Sequence, residues 1–270
     1  MALTACFTAG YSQGVQWRTD FTKAQAESKR TGKLIVVDFF SDNCVACVRL
    51  DKYTFPDSTV ARSLTGFIPA KINADHEGKQ LAKRYEVTGF PNIVFIRANG
   101  KMVGRIVGYM GPDMFNRKLA QIKTIDSNLP KWQAAFRQNH ADIHALVGLG
   151  LASTFQGNAY EAEKYLSLAE SKPSKGQGNV ADLYIAVGDI YRDTDGGQAK
   201  GIALYKKALA TATERSQGVY SRLMLTYLYA MSKDGKPLAQ EQASFLSKMK
   251  LGEADQVMLS MLQQMLSQQP

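Results

Sequence analysis

Cys44 and Cys47, separated by Val45 and Ala46, are the residues of this 270-residue chain best placed to do chemistry. On a helix, two thiols at this spacing lie one turn apart on the same side, close enough for a disulfide to form and break with little backbone movement. A cysteine at a helix start meets unpaired N–H groups and the positive end of the helix dipole, and both favour its anion. Cys44 is therefore expected to ionise more readily than a free cysteine, and the thiolate is the attacking species in thiol–disulfide exchange. A lone C-x-x-C can also be half of a zinc site, or two packed thiols. Zinc needs further ligands. His140 and His144 stand at helical spacing, but far along the chain and not at the separation of a finger. No metal and no cofactor are expected.

The elements around the pair must hold it. Leu34–Val37, Asp38, Phe39 and Phe40 form a short apolar run rich in β-branched and aromatic residues, which predicts a strand buried on both faces. The polar turn 41–43 comes next, then a helix from Cys44 to about Tyr53. A helix over 17–32, capped by Thr19 or Asp20 and closed by Gly32, should precede the strand. After it come a short helix over 58–64, a strand over 67–73 and a helix over 79–85. Pro69 cannot donate to a ladder and places the 67–73 strand at an edge or a strand start. Strands over 92–97 and 101–107 flank the Asn99-Gly100 turn, and a helix from Pro112 to about Ile125 closes the set. The fold class is α/β, a mixed sheet with helices on both faces.

Composition narrows the function classes. Hydrophobic residues make up 45% of the chain, enough for a core. The net charge is +9, and residues 1–127 carry 18 Lys and Arg against 11 Asp and Glu. No dense basic run with interleaved aromatics occurs, so no nucleic-acid partner is expected. No apolar run is long enough to span a bilayer. Of the three cysteines, Cys6 stands outside the pair. Leu3-Thr4-Ala5-Cys6 resembles a bacterial lipobox, and the N-terminus resembles the end of a signal peptide. The first expectation for residues 1–15 is a plain N-terminal tail; the alternative is a signal-peptide remnant, with membrane attachment only through a lipid anchor at Cys6 in a longer precursor.

VVDFFSDNCVAC, AKINAD, VTGFPNIVFI and NGKMVGRIVGY, in that order, resemble a thioredoxin domain. The run CVACVRLDKYTFPDSTV is similar to the C-terminal, periplasmic thioredoxin-like domain of the DsbD family of thiol:disulfide interchange proteins well beyond the two cysteines. The resemblance covers about residues 16–125. It implies that Cys44 is the nucleophile and Cys47 the resolving thiol. It implies a buried acid at Asp38 that exchanges a proton with Cys47, a lysine at Lys71 near that acid, and a second acid at Asp51 that tunes the thiols. It implies a cis-proline at Pro91, with the Phe90 backbone free to pair with an extended substrate. Val45 and Ala46 would face the substrate. Asn43 departs from the family, which usually has Trp before the first cysteine, and this removes an aromatic wall from the substrate groove. Each position also has a plainer role: Asp38 at a strand end, Lys71 and Asp51 in solvent, Pro91 in a trans turn, Phe90 in the core.

From about residue 127 the pattern becomes helical throughout, with Asn128-Leu129-Pro130 as a linker or a helix start. Leu146, Leu149, Gly150, Gly157, Ala162, Leu166 and Ala169 resemble the large-and-small pattern of tetratricopeptide repeats. The pattern returns with Gly188, Tyr191, Gly201, Tyr205 and Ala208 after an insertion near 193–197. Residues 127–270 are thus expected to be an all-α domain of three helical hairpins, the third over 219–231 and 238–249, with a capping helix over 256–267. The Leu, Tyr and Met stripe reads as core. Such arrays can offer a concave face to a protein partner, or simply brace the 16–126 domain.

The residues support two readings. One is a thiol-disulfide oxidoreductase that reduces protein disulfides, depends on a separate electron-donor protein, and works in the periplasm, with the cytoplasm as the alternative compartment. The other is a protein-binding or chaperone-like module whose thioredoxin-like domain senses redox state without turnover.

Overall fold

The computed structural model describes residues 14–171 and 180–268, so Cys6 lies outside the described residues. Helix α1 spans Phe21–Thr31, capped by the Asp20 carboxylate at one end and closed by Gly32 at φ 71° at the other. It starts later than the sequence suggests. Arg18 is extended instead and bridges Ala70, its N–H donating to the Pro69 carbonyl and its carbonyl accepting from Lys71 N–H. Residues 17–19 thereby cover the edge strand that Pro69 leaves short of a donor.

Strands β1 (Ile35–Phe40), β2 (Ile68–Asn73), β3 (Asn92–Ile96) and β4 (Met102–Val107) form one sheet in the order β2-β1-β3-β4. The β1–β2 pair is parallel, and β1–β3 and β3–β4 are antiparallel. Alternation along β1 sends Ile35, Val37 and Phe39 to one face, where they pack with Ala24 of α1 and with Ala82 of α4 (Lys79–Arg84). The opposite face, with Val36, Ile93 and Phe95, packs against α3 (Ser58–Leu64) and α5 (Pro112–Gln138). This is a mixed, thioredoxin-like sheet covered on both sides, as the sequence pattern predicts.

Helix α5 departs from the expectation. It does not stop near Ile125 but runs through Pro130 to Gln138, so Asn128-Leu129-Pro130 is neither a linker nor a helix start. A proline inside a helix strips the carbonyl four residues earlier of its donor. Here that carbonyl, on Asp126, accepts from the Arg97 guanidinium, which also pairs with the Asp126 carboxylate at 2.5 Å. The Ser127 and Asn128 side chains fold back onto carbonyls one turn earlier.

Beyond α5, the described residues form three stacked helix pairs and a last helix. The pairs are α6 (Ile143–Phe155) with α7 (Ala159–Glu170), α8 (Val180–Arg192) with α9 (Gln198–Thr211), and α10 (Arg215–Ala230) with α11 (Lys236–Ser247). Helix α12 (Glu253–Ser267) ends the array. The expected insertion at 193–197 is a compact turn of the same length as the one at 231–235 between α10 and α11.

One apolar core runs unbroken from the sheet through α5 and α6 into the helix pairs. A side chain at Gly104 of β4 would lie 2.7 Å from Phe155 Cβ of α6, so glycine is what lets the array approach the sheet. Two ionic ties cross the same seam. Arg117 of α5 donates twice to Asp182 of α8, at 2.5 and 2.7 Å, and also pairs with Glu214. Lys118 of α5 reaches Asp189 of α8 at 2.8 Å.

Candidate active site

The pair sits where β1 ends. The turn 41–43 is held from the β2 side: Asn73 and His76 contact the Asp42 carboxylate at 2.7 and 2.8 Å, and Asp42 N–H donates to Asp75. These two side-chain bonds keep the Asp42 carboxyl below its usual range. Cys44 is the N-cap of α2 (Val45–Arg49), one residue outside the helix, and its Sγ accepts from Cys47 N–H at 3.0 Å. Cys44 and Cys47 are joined as a disulfide with Cα atoms 5.2 Å apart. Cys47 is buried, and Cys44 is half-buried. The helix then widens into a π-type turn over Leu50–Thr54. Thr54 ties that turn to the loop after β4 by donating to the Met110 carbonyl at 2.7 Å.

Asp38 shares its face of β1 with Val36, the face that also carries Leu50 and Phe55 of the cysteine segment. It is 1% exposed. Its partner across the parallel ladder is Lys71, whose Nζ lies 3.0 Å from Asp38 Oδ2. Lys71 also pairs with Asp51 of the π-type turn and sits near the rings of Trp17, Phe40 and Phe55. Divided between two carboxylates, it leaves Asp38 Oδ1 buried with no hydrogen-bond partner. Burial outweighs the lysine, and the Asp38 carboxyl is pushed up to about 6. The two acids in turn hold the Lys71 ammonium above its ordinary range, against its own desolvation.

The Phe90–Pro91 peptide is cis, and the Pro91 carbonyl accepts from Gly108 N–H at 3.0 Å. Among the described residues, the Phe90 backbone N–H and C=O have no hydrogen-bond partner. Phe90 and Ala46 line an open cleft of about 990 Å³ between the sheet domain and the helix pairs. Val45 and Asn43 do not line it. Both are exposed, Val45 at 64%.

The structure thus brings Cys44 and Cys47 together, joins Asp38, Lys71 and Asp51 in one ionic chain, and places Ala46 and Phe90 on a shared wall. It adds residues that sequence reasoning missed. Asn92, 2% exposed with an unpartnered Oδ1, and Arg49 line the cleft from the sheet domain. Met224 of α10 and Met258, Met261 and Met265 of α12 line it from the array. The Met-x2-Met-x3-Met spacing was visible, but on α12 the core stripe is Leu259, Leu262 and Leu266, while these methionines are only half-buried.

Residues 21–123 match the thioredoxin-like domain family. The chain is 36% identical over 108 residues to the thiol:disulfide interchange protein DsbD of Vibrio cholerae, covering 38% of this chain and 18% of that protein. It is 37% identical over 101 residues to DsbD of Cronobacter sakazakii, covering 36% of this chain and 17% of the relative. The chain therefore spans less than a fifth of the length of these relatives. Among solved structures it is similar to a thioredoxin from Thermus thermophilus, at 27% identity and a TM-score of 0.40, covering 43% of this chain and 93% of that one. Residues 21–123 are a thioredoxin-like domain related to DsbD, carrying a Cys44–Cys47 pair and followed by a helical region.

Proposed function

We propose that the protein is a thiol-disulfide oxidoreductase that reduces protein disulfides. The observation that carries this is the Cys44–Cys47 disulfide at the start of α2, on the sheet face that holds a buried acid with a raised pKa. In the reduced protein, Cys44 thiolate attacks a substrate disulfide. A mixed disulfide forms, and one substrate sulfur leaves as a thiolate that takes a proton from water. Asp38, near half-protonated at about pH 6, accepts the Cys47 proton. The Cys47 thiolate attacks Cys44 Sγ, the second substrate sulfur leaves and is protonated, and Cys44–Cys47 is oxidised. Two electrons have moved to the substrate, and a separate dithiol donor protein must return two to the disulfide.

Lys71 and Asp51 act on Asp38 rather than on sulfur in this scheme, by setting how much cationic charge it sees. Phe90 and Pro91 present backbone to an extended substrate, and Ala46 lies against it. The similarity to DsbD supports the reductase direction and the periplasm as compartment. The lipobox-like Leu3-Thr4-Ala5-Cys6 supports a lipid anchor at Cys6. The helix pairs resemble tetratricopeptide repeats in sequence, and we assign them the recruitment of a protein partner.

Reduction of a test protein disulfide by the pre-reduced protein should be fast for wild type and at background for Cys44→Ser. Cys47→Ala should accumulate mixed disulfides, whose mass identifies clients. Equal background rates for wild type and Cys44→Ser would sink the enzyme reading and leave a binding module.

A further inference from the structure

We propose that the cleft between the two halves is a channel for one kind of occupant, an extended apolar segment of a client protein that carries the cysteine to be attacked. The proposal rests on the oxidoreductase reading for its chemistry and on separate observations for its occupant. The cleft is continuous with the redox site, because Ala46 and Phe90 lie on its wall. A strand paired with the free Phe90 backbone has this cleft as its course. At about 990 Å³ it is at the top of the range of roughly 300–1,000 Å³ usual for small-ligand sites, and it is open. That suits a length of chain better than a compact metabolite.

Its far wall is soft. Met258, Met261 and Met265 recur on one face of α12, and Met224 faces the same space from α10. Methionine is unbranched and polarizable, and a surface of such side chains adapts to apolar groups of differing shape. That is what a reductase of many clients requires. The near wall supplies orientation. Asn92 is buried with a side-chain oxygen that has no hydrogen-bond partner among the described residues, so a backbone N–H of the occupant can satisfy it. Arg49 has no ion pair among the described residues and favours an acidic residue beside the cysteine.

Helix α12 is held in place to form this wall. The Tyr109 hydroxyl donates to the Ala254 carbonyl at 3.2 Å, and a side chain at Gly111 would lie 2.5 Å from Asp255 Oδ1. The loop after β4 and the start of α12 are thus in close contact, and the array completes a groove that the sheet domain alone leaves open.

The test uses the full oxidised chain and a fluorescein-labelled peptide of Leu, Met and Phe around a central serine with one glutamate. The serine prevents covalent capture, so anisotropy reads the cleft alone. The apolar peptide should bind at least about tenfold tighter than one with Ser and Gln in place of Leu, Met and Phe, a difference of about 1.4 kcal/mol. Met258→Gln/Met261→Gln should erase that preference while helicity by circular dichroism is kept, and Met261→Gln alone, at a half-buried position outside the core cluster, should weaken it. With the corresponding cysteine peptide as a mixed disulfide, the variants should raise KM and leave kcat. Equal binding of the two peptides, or variants that bind like wild type, overturns the proposal even if turnover is normal. Selective binding without turnover overturns the oxidoreductase reading and leaves the channel standing. A dimer in sedimentation that is lost when the same methionines are replaced would make a second copy the occupant and overturn it as well.

Discussion

Each half of the molecule sets an aspartate beside a lysine, Asp38 at 1% exposure and the Asp189 side chain at 17%, and the two carboxylates come out opposite. Asp38 receives one hydrogen bond, from a lysine it shares with Asp51, and keeps one oxygen empty. Asp189 of α8 receives four: Lys118 at 2.8 Å, Arg192 at 2.9 Å, Tyr205 at 2.7 Å and Tyr220 at 2.9 Å. Burial raises both. At Asp38 it wins, and the carboxyl is pushed up to about 6. At Asp189 the two cations and the hydroxyls win, and the carboxyl is held below its usual range. The number of donors, together with a somewhat greater exposure at Asp189, separates an acid that can trade a proton from one that pins helices together.

The largest effect should come from taking away the saturated acid. Asp189→Ala leaves the buried Lys118 ammonium without its carboxylate, while Arg192 keeps Asp193 at 2.6 Å, and breaking a buried pair in this way costs about 3–5 kcal/mol. Urea unfolding should show that loss, with the rate of disulfide reduction per folded molecule unaltered. Asp38→Asn should do the reverse. It slows resolution of the mixed disulfide by about a hundredfold, the low end of general acid–base contributions, and does not reduce stability at pH 7. Quenched-flow mass spectrometry measures the first and urea unfolding the second.

The pH dependences should be mirror images. Asp38 titrates near 4 unfolded and about 6 folded, so between those values the native state binds more protons. Stability therefore falls as pH rises from about 4 to about 6, by roughly 2–3 kcal/mol, and Asp38→Asn removes that fall. Asp189 has a lowered folded value. Its contribution is complete above its unfolded value and is lost only as pH drops through the folded one. Asp189→Asn should remove that acid limb and leave the other. A smaller effect separates the two lysines. Lys71→Met takes from Asp38 the one cation paired with it among the described residues and should move the pH inflection of the resolving step upward by about one unit, or about 1.4 kcal/mol. Lys118→Met leaves Asp189 with Arg192 and two hydroxyls and should not protonate it at pH 7.

How legible each part was depends on how local its cause is. Cys44 and Cys47 were readable, because helix spacing fixes which side of an element a residue takes, and the burial of Asp38 followed from the resemblance to thioredoxin. The run of α5 through Pro130 was not. The carbonyl that proline strips finds its donor on Arg97, at the end of β3. Nor was the position of Met258, Met261 and Met265, which line a cleft while Met258 and Met265 also pack against the core.

The order of residues alone determined the α/β half, the dithiol and the helical character of the second half, since each depends on neighbours within a few turns of chain. The tertiary structure decided that the two halves share one core, that Lys71 is divided between two acids, and that the last helix returns to wall the space beside Ala46 and Phe90. Those outcomes rest on contacts between elements far apart in the chain, where close approach at Gly104 and Gly111 and the available buried donors select the packing, and no local periodicity encodes them.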